Sequence, residues 1–133
     1  MDWIDTIGAF DPVGCKSYTV KDNIFASAWH VGVRLPARKC GEPAVHTGNV
    51  AHSISGYGFI VKEAAAGSCS EFGDVKGYKN RIATVHMGGG LGAPTNMISN
   101  IVTVDSNIGL MAFGVSDGYV EVKDSTFYGN KDM

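Results

Sequence analysis

The feature of this chain that most constrains its fold is a repeated spacing between asparagine and glycine. Four of its seven asparagines are followed by a glycine nine residues later, and the segment joining each pair has the composition of a short β-strand. With 18 glycines in 133 residues, about one such pair is expected by chance, so the spacing indicates an internal repeat. The pairs are Asn23 with Gly32, Asn49 with Gly58, Asn80 with Gly89, and Asn100 with Gly109.

The asparagines of the repeat are unevenly spaced, with the longest interval from Asn49 to Asn80 and the shortest from Asn80 to Asn100. Uneven spacing of this kind is typical of a parallel β-solenoid, in which the coils keep their strands and vary their loops. A fifth unit follows, with Ser125 in the place of the asparagine. The sequence therefore predicts an all-β fold, a right-handed single-stranded parallel β-helix of about five coils. We expect a single domain over residues 1–133, with coils starting near residues 20, 47, 78, 98 and 122.

The repeat also predicts which side chains point inward. The residue two positions after each asparagine, or after Ser125, is apolar in every unit, and a pair of apolar residues with a period of two often follows the glycine, as in a strand. The third unit departs from this pattern because three glycines follow one another at 88–90, so its register stays open. The predicted inward column is Phe25, Ala51, Ile82, Val102 and Phe127, and the predicted pairs are Val33 with Leu35, Phe59 with Val61, and Leu110 with Ala112.

Asparagine and glycine suit the corners of a solenoid for different reasons. Asparagine tolerates the left-handed backbone region, and its amide can bond backbone groups at a corner. Amides stacked on neighbouring coils are also expected to bond one another. Glycine permits a sharp bend without a Cβ penalty. The alternative is that both residues mark unrelated loops of an ordinary β-sandwich.

Composition argues against several classes of protein. Hydrophobic residues make up 44% of the chain and charged residues 18%, which is enough apolar material for a core and unlike a disordered chain. The net charge is −2 and the basic residues are scattered, so no nucleic-acid partner is predicted. No apolar run approaches the roughly 18 residues that span a bilayer. The first residues also lack the pattern of a signal peptide. We expect no membrane insertion by this segment.

The ends of the chain lack the caps that cover the terminal coils of a solenoid. The sequence closes within a repeat, at Ser125-Thr126-Phe127, and no helical pattern with a polar face precedes the first coil. We therefore expect this to be a segment of a longer protein, with the rest of that chain as its first partner.

The stretch from Val20 to Val61 carries a more specific signature. It opens a coil with N-I-F-A-S from Asn23, continues through a glycine-apolar strand and a loop with Cys40, and opens the next coil with N-V-A-H-S from Asn49. This succession resembles the β-helix region of fibrocystin and fibrocystin-like proteins. The resemblance implies a large protein of the extracellular face of the cell surface, anchored by one membrane span and associated with cilia or similar projections. Beyond Val61 the likeness is to β-helix repeats in general.

Two of the three cysteines fall in the variable loops of adjacent coils. Cys40 follows Asn23 at a distance similar to that at which Cys69 follows Asn49, so both loops should lie on the same side. A disulfide between them is predicted, with Cα atoms within about 7 Å and a stabilisation of about 3 kcal/mol. Cys15 is left over. The alternative is three reduced cysteines in an intracellular protein.

Candidate catalytic and metal-binding residues are few. Glycosidic cleavage needs charged side chains that project together from adjacent strands. Asp105 and Asp124 are instead single carboxylates with turn-forming neighbours. His30, His52 and His86 follow their asparagines at different offsets, so we predict neither a metal site nor a catalytic group.

Three further features have simple structural explanations. The glycine-rich run 88–92 lacks the lysine of a phosphate-binding loop and is predicted to be a loop insertion, and no cofactor is predicted. Trp3 and Trp29 have aromatic faces of the kind that stack on sugars, but Trp29 is predicted to pack in the core or in a groove. His46 is assigned to a loop.

Two functions remain for such a chain. The favoured one is a non-catalytic structural and recognition segment that displays loops to an extracellular protein or glycan. The alternative is part of a polysaccharide-acting enzyme that resembles cell-surface hyaluronidases or the pectin-lyase-like β-helix enzymes. A surface groove with two or more convergent Asp, Glu, Arg or His residues would favour the enzyme.

Overall fold

The chain folds as a β-solenoid of short strands. The structure, a computed structural model, describes residues 8–10, 18–61, 67–88, 93–113 and 118–129. These residues contain no helix. In chain order their strands are β1 (Gly8–Phe10), β2 (Val20–Lys21), β3 (Ile24–Ala26), β4 (Val31–Leu35), β5 (Arg38–Lys39), β6 (His46–Thr47), β7 (Asn49–His52), β8 (Tyr57–Val61), β9 (Cys69–Tyr78), β10 (Ala83–Met87), β11 (Thr95–Val104), β12 (Ile108–Ala112), β13 (Tyr119–Lys123) and β14 (Thr126–Tyr128).

The strands stack into about four turns. One sheet has the order β1-β4-β8-β10-β12, and a second has the order β13-β11-β9-β7-β3. The long strand β11 turns at its middle, so that its first half pairs with β13 and its second half with β14. Among the described strands every pairing is parallel except that of β5 with β9. The predicted parallel β-helix is confirmed.

Each coil has two corners at which one residue adopts the left-handed backbone conformation. Asparagine, aspartate and glycine tolerate this conformation best, and they fill the first corner. The left-handed residues are Asp22, Gly48, Asp74, Asn100 and Asp124 at the first corner, and Ser27, Ser53, Lys79 and Asp105 at the second. Equivalent corner residues on successive coils lie 26 residues apart, except that Asn100 and Asp124 lie closer together in sequence. Side chains at these corners also bond groups 26 residues away on the neighbouring coil.

The residue that follows a left-handed corner position often bonds the preceding coil through its side chain. At the first corner Asn49 Oδ1 accepts the backbone N–H of Asn23 at 3.2 Å, and at the second Asn80 Oδ1 accepts that of Ile54 at 3.2 Å. Each Nδ2 also donates to a backbone carbonyl 29 residues earlier. The two corners thus use the same pair of amide bonds, which satisfy backbone groups where the chain turns.

Serine takes the same role in the later coils. Ser106 Oγ accepts the backbone N–H of Asn80 at 3.1 Å, and Ser125 Oγ accepts that of Ile101 at 3.2 Å. Bonding between stacked amides is marginal by comparison, with 3.5 Å between Asn23 Nδ2 and Asn49 Oδ1. At the corners, the side chains of the repeat therefore bond the neighbouring coil mainly through its backbone groups.

The register predicted from the sequence was wrong in the third and fourth units. Asn80 belongs to the second corner, whereas Asn23 and Asn49 belong to the first, and Asn100 itself occupies a left-handed position. With a period of 26 residues the third coil begins near residue 72 rather than near 78. Gly89 lies outside the described residues.

The predicted inward column is correspondingly wrong at its third and fourth members. Ile82 and Val102 do not stack on Ala51, and their places are taken by a glycine and a threonine. The column that the pairing defines is Phe25, Ala51, Gly77, Thr103 and Phe127. Its last member is 45% exposed.

The apolar pairs predicted to follow the glycines stack as predicted, and those of the first two units are buried in the main core. The last pair is less buried, since Leu110 is half-buried and Ala112 is exposed. Gly32, Gly58 and Gly109 lie at equivalent positions, and Thr84 takes the third place. A Cβ at Gly58 would lie 2.9 Å from the backbone oxygen of Thr84, so the close approach requires glycine there. The stacked columns that follow are Val33, Phe59, Val85 and Leu110, and then Leu35, Val61, Met87 and Ala112.

A buried polar cluster lies beside this core. Thr84 Oγ1 is 2.8 Å from Thr103 Oγ1 and donates to Ser106 Oγ at 2.9 Å. Asn80 Nδ2 donates to Thr84 Oγ1 at 3.4 Å. The cluster links the second corner to two sheets, and its hydroxyl groups satisfy one another away from water.

Candidate functional site

The loop between β4 and β6 lies against the third coil and is held there by a disulfide. Cys40 and Cys69 are bonded, with Cα atoms 5.5 Å apart, which is within the limit set from the sequence. Strand β5 runs antiparallel to β9 at this point and pairs Arg38 with Glu71. Cys15 lies outside the described residues.

A charged cluster lies directly beside the disulfide. The Arg38 guanidinium contacts Glu71 Oε1 at 2.9 Å and Asp74 Oδ2 at 3.2 Å. Ser99 donates a hydrogen bond to the same Oε1, and Asn100 Nδ2 donates to Asp74 Oδ1 at 2.8 Å. Each carboxylate therefore has both a cation and a neutral donor. The cluster ties the loop to two successive coils.

This cluster has the convergent charged groups that would favour an enzyme, but it lacks space for a substrate. The cavity beside it has a volume of about 40 Å³ and is shared by Arg38, Glu71 and His46. A water molecule needs about 10–15 Å³ of such volume, so the cavity holds only a few waters and excludes a sugar ring. The geometry fits a structural ion cluster.

His46 lies in β6 and is buried, which corrects its assignment to a loop. Its ring stacks on Tyr18 with centroids 5.2 Å apart, and its Nδ1 accepts the backbone N–H of Val20 at 3.1 Å. Burial lowers the pKa of His46 below its ordinary value, because the interior disfavours the charged ring. His46 is therefore a neutral core residue.

The other histidines pair with separate aromatic side chains. His52 stacks on Tyr78 at 4.6 Å, and His86 stacks on Tyr57 at 4.7 Å, both measured between ring centroids. His30 meets the edge of Trp29 at 5.8 Å. Across the described ranges no group of three or more His, Cys, Asp or Glu residues is arranged to hold a metal ion.

An open groove crosses successive coils just after the second corner. Its volume is about 460 Å³, and its lining includes Trp29, Ser55, Arg81 and Asn107. These four residues follow the four left-handed positions of the second corner by two residues each, so they form a row along the solenoid axis. We call this row and its surroundings the corner groove.

The chemistry of the corner groove is aromatic, basic and amide-bearing. Trp29 was predicted to pack either in the core or in a groove. Its side chain is 67% exposed, so it is not a core residue, and it lines the groove. Arg81 is exposed, and none of the carboxylates in the described part of the chain pairs with it. The described lining contains no Asp or Glu. The corner groove thus has room for a ligand but no acidic residue in its described lining, whereas the Arg38 cluster has acidic residues but no room for a substrate.

Sequence reasoning identified Trp29 but missed both the row and the cluster. The period of 26 residues that the corner bonds define, applied to Trp29, leads to Ser55, Arg81 and Asn107. The correct period would therefore have found the row. The Arg38 cluster has no such signal, because it depends on how the variable loop folds back onto β9.

In the part of the chain described, no helix has the length and apolar character needed to cross a membrane. Comparison of this chain with models of protein families, with curated proteins and with solved structures finds no match.

Proposed function

We propose that this chain is a non-catalytic recognition segment of a large fibrocystin-like cell-surface protein, in which a rigid β-helix displays loops to extracellular protein or glycan partners. The family assignment is supported by the residues of the first two coils, from Val20 to Val61. The observation that carries the functional proposal is the separation of charged groups from open space. Glu71 and Asp74 converge on Arg38 beside a cavity too small for a sugar.

The environment of these carboxylates also argues against a catalytic pair. A glycosidase needs one carboxyl group that gives up a proton and another that accepts one or attacks the sugar. Glu71 and Asp74 share one guanidinium, and each accepts a further hydrogen bond from the next coil. Such partners fix both carboxylates in place, which suits a structural role.

The disulfide supports display of the loop at an oxidising cell surface. The disulfide joins two cysteines that are 29 residues apart in the sequence, and it fixes the loop that carries Arg38 to β9. Disulfides persist mainly in extracellular and secretory compartments. A loop fixed in this way presents one shape to a partner, which reduces the conformational entropy lost on binding.

One observation favours the alternative, a polysaccharide-acting enzyme. The corner groove has both the size and the exposed tryptophan that a sugar polymer would use. Asp105 precedes Asn107, a lining residue of the groove, by two positions in the sequence. It occupies a left-handed corner position, and its backbone N–H donates to the Tyr128 carbonyl. Its geometry is that of a turn residue.

Incubation of the purified protein with hyaluronan and pectin tests the proposal. We expect the molar mass of each polymer, measured by light scattering after size exclusion, to stay constant and no new reducing ends to form. Shortening that disappears in Asp105→Asn or Glu71→Gln variants of intact fold would replace the proposal with the enzyme. Serine variants of Cys40 serve as controls for the contribution of the loop.

A further inference from the structure

We propose that the corner groove binds an acidic oligosaccharide laid along the solenoid axis, with Trp29 stacked on one sugar ring and Arg81 paired with an acidic group further along. This inference rests on the proposed recognition function, since it names the ligand class and the site. It is carried by three properties of the groove: its row of side chains, its spacing and its charge.

The spacing of the row fits a sugar polymer. Neighbouring parallel strands lie about 4.8 Å apart, so Trp29 and Arg81, which are two coils apart, are separated by about 10 Å along the axis. This distance is close to the length of a disaccharide unit in an extended polysaccharide. Ser55 lies between the two residues and Asn107 lies one coil beyond. A ligand running along the axis therefore meets one side chain of the row on each coil.

The chemistry of each side chain suits a different part of a sugar. The exposed Trp29 ring offers an apolar face to the C–H groups of a pyranose. The Ser55 hydroxyl and the Asn107 amide can exchange hydrogen bonds with sugar hydroxyl groups. Ile82 and Ile108 add apolar surface to the same groove. This mixture of apolar surface with a few polar groups is typical of small-ligand sites.

Charge decides between an acidic and a neutral ligand. No carboxylate among the described residues neutralises Arg81, and the described lining contains no acidic residue. A guanidinium forms paired hydrogen bonds with a carboxylate or a sulfate. An uncharged sugar would leave this cation without its best partner, so the groove should prefer acidic sugars.

Titration calorimetry on the complete chain tests the inference. The probes are hyaluronan hexasaccharide, which carries carboxylates, heparin hexasaccharide, which also carries sulfates, and chitin hexasaccharide, which is neutral. We expect at least one acidic probe to bind about ten-fold more tightly than chitin hexasaccharide, because only the acidic probes pair with Arg81. The affinity should fall as salt is added.

Variants locate the site. Trp29→Ala and Arg81→Ala should each weaken binding about ten-fold, and Arg81→Ala should also remove most of the salt dependence. Lys76→Ala removes an exposed cation from β9, which does not line the groove, and should leave the affinity within about two-fold. All three side chains are exposed, so circular dichroism and melting should be unchanged.

The outcomes separate failure of this inference from failure of the proposed function. Equal binding of the neutral and acidic probes, no binding of any probe, or binding that Trp29→Ala and Arg81→Ala leave intact would overturn the corner-groove inference. Tighter binding of an acidic peptide such as polyglutamate would assign the groove to a protein partner instead. Shortening of a probe would overturn the non-catalytic function.

Discussion

The Asn80→Ala substitution is expected to destabilise the solenoid by several kcal/mol. The buried Asn80 amide accepts the N–H of Ile54 and donates to the carbonyl of Ala51. Both partner residues are buried, and an alanine methyl group can replace neither bond. A buried polar group without a partner costs about 1–3 kcal/mol, so two such groups cost about 2–6 kcal/mol.

The matched variants come from the same set of repeat asparagines. Asn49→Ala removes the same two kinds of bond at the first corner, but one of them is only part-buried, so we expect a smaller loss of about 1–3 kcal/mol. Asn23 is exposed, and its amide donates at 2.8 Å to the carbonyl of Lys21, two residues away. Asn23→Ala should therefore cost about 1 kcal/mol or less.

Urea denaturation followed by circular dichroism measures these differences. We expect the midpoints of Asn49→Ala and Asn80→Ala to fall well below that of Asn23→Ala, with similar slopes. The spacing in the sequence treats the three asparagines as equivalent, whereas the structure does not. Equal losses of stability in all three variants would refute the corner bonds and with them the register of the third coil.

The remaining predictions concern the disulfide between Cys40 and Cys69, the close contact at Gly73 and the buried His46. The double variant Cys40→Ser, Cys69→Ser should lose about 3 kcal/mol, and its melting temperature should no longer respond to a reductant, unlike that of the parent. Gly73→Ala should cost about 3 kcal/mol, the upper end of the usual range for overpacking, because a Cβ there would overlap a backbone carbonyl of the next coil. Gly129→Ala, with nothing within 4 Å, should change the urea midpoint little, and equal losses would contradict the packing. Burial lowers the pKa of His46 in the folded state below its ordinary value of 6.5, so stability should be full above that pH and fall as the pH drops below it. His46→Gln should flatten this part of the urea midpoint profile, and an unchanged profile would show that His46 is not the group responsible.

The sequence was sufficient to predict a parallel β-helix because its strand pattern is local. A glycine followed by alternating apolar residues recurs around Val33, Phe59 and Leu110, and these residues stack as expected. A period of two over a few residues needs no knowledge of the rest of the chain. The core of this sheet could therefore be predicted, apart from the coil in which Thr84 replaces the glycine.

The register could not be predicted because the bridging asparagine changes corners between coils. Asn49 bridges at the first corner and Asn80 at the second, with the same two kinds of bond. In the third coil the first-corner place is filled by Val75, which pairs with Asn49. Residue type alone does not distinguish the corners, because both present a turning backbone with groups to satisfy. The long interval from Asn49 to Asn80 reflects this change of corner rather than a longer loop.

Neither site could be predicted without the correct register, and the Arg38 cluster not even with it. The corner groove becomes visible only when Trp29 and Arg81 are placed on the same corner, two coils apart. The Arg38 cluster requires β5 to fold back antiparallel onto β9, whereas the other described strand pairs are parallel. Both depend on contacts between residues distant in sequence.

The corner bonds also give the groove its rigidity. Ser55, Arg81 and Asn107 each directly follow a residue whose backbone or side chain takes part in the chain of bonds from Ile54 through Asn80 to the next coil. A ligand therefore meets side chains whose backbone positions are already fixed, so less entropy is lost on binding. Asn80→Ala should for this reason weaken oligosaccharide binding although Asn80 does not line the groove. Calorimetry on the folded variant at low temperature would measure the loss, and an affinity equal to that of the parent would show that the groove does not depend on the corner bonds.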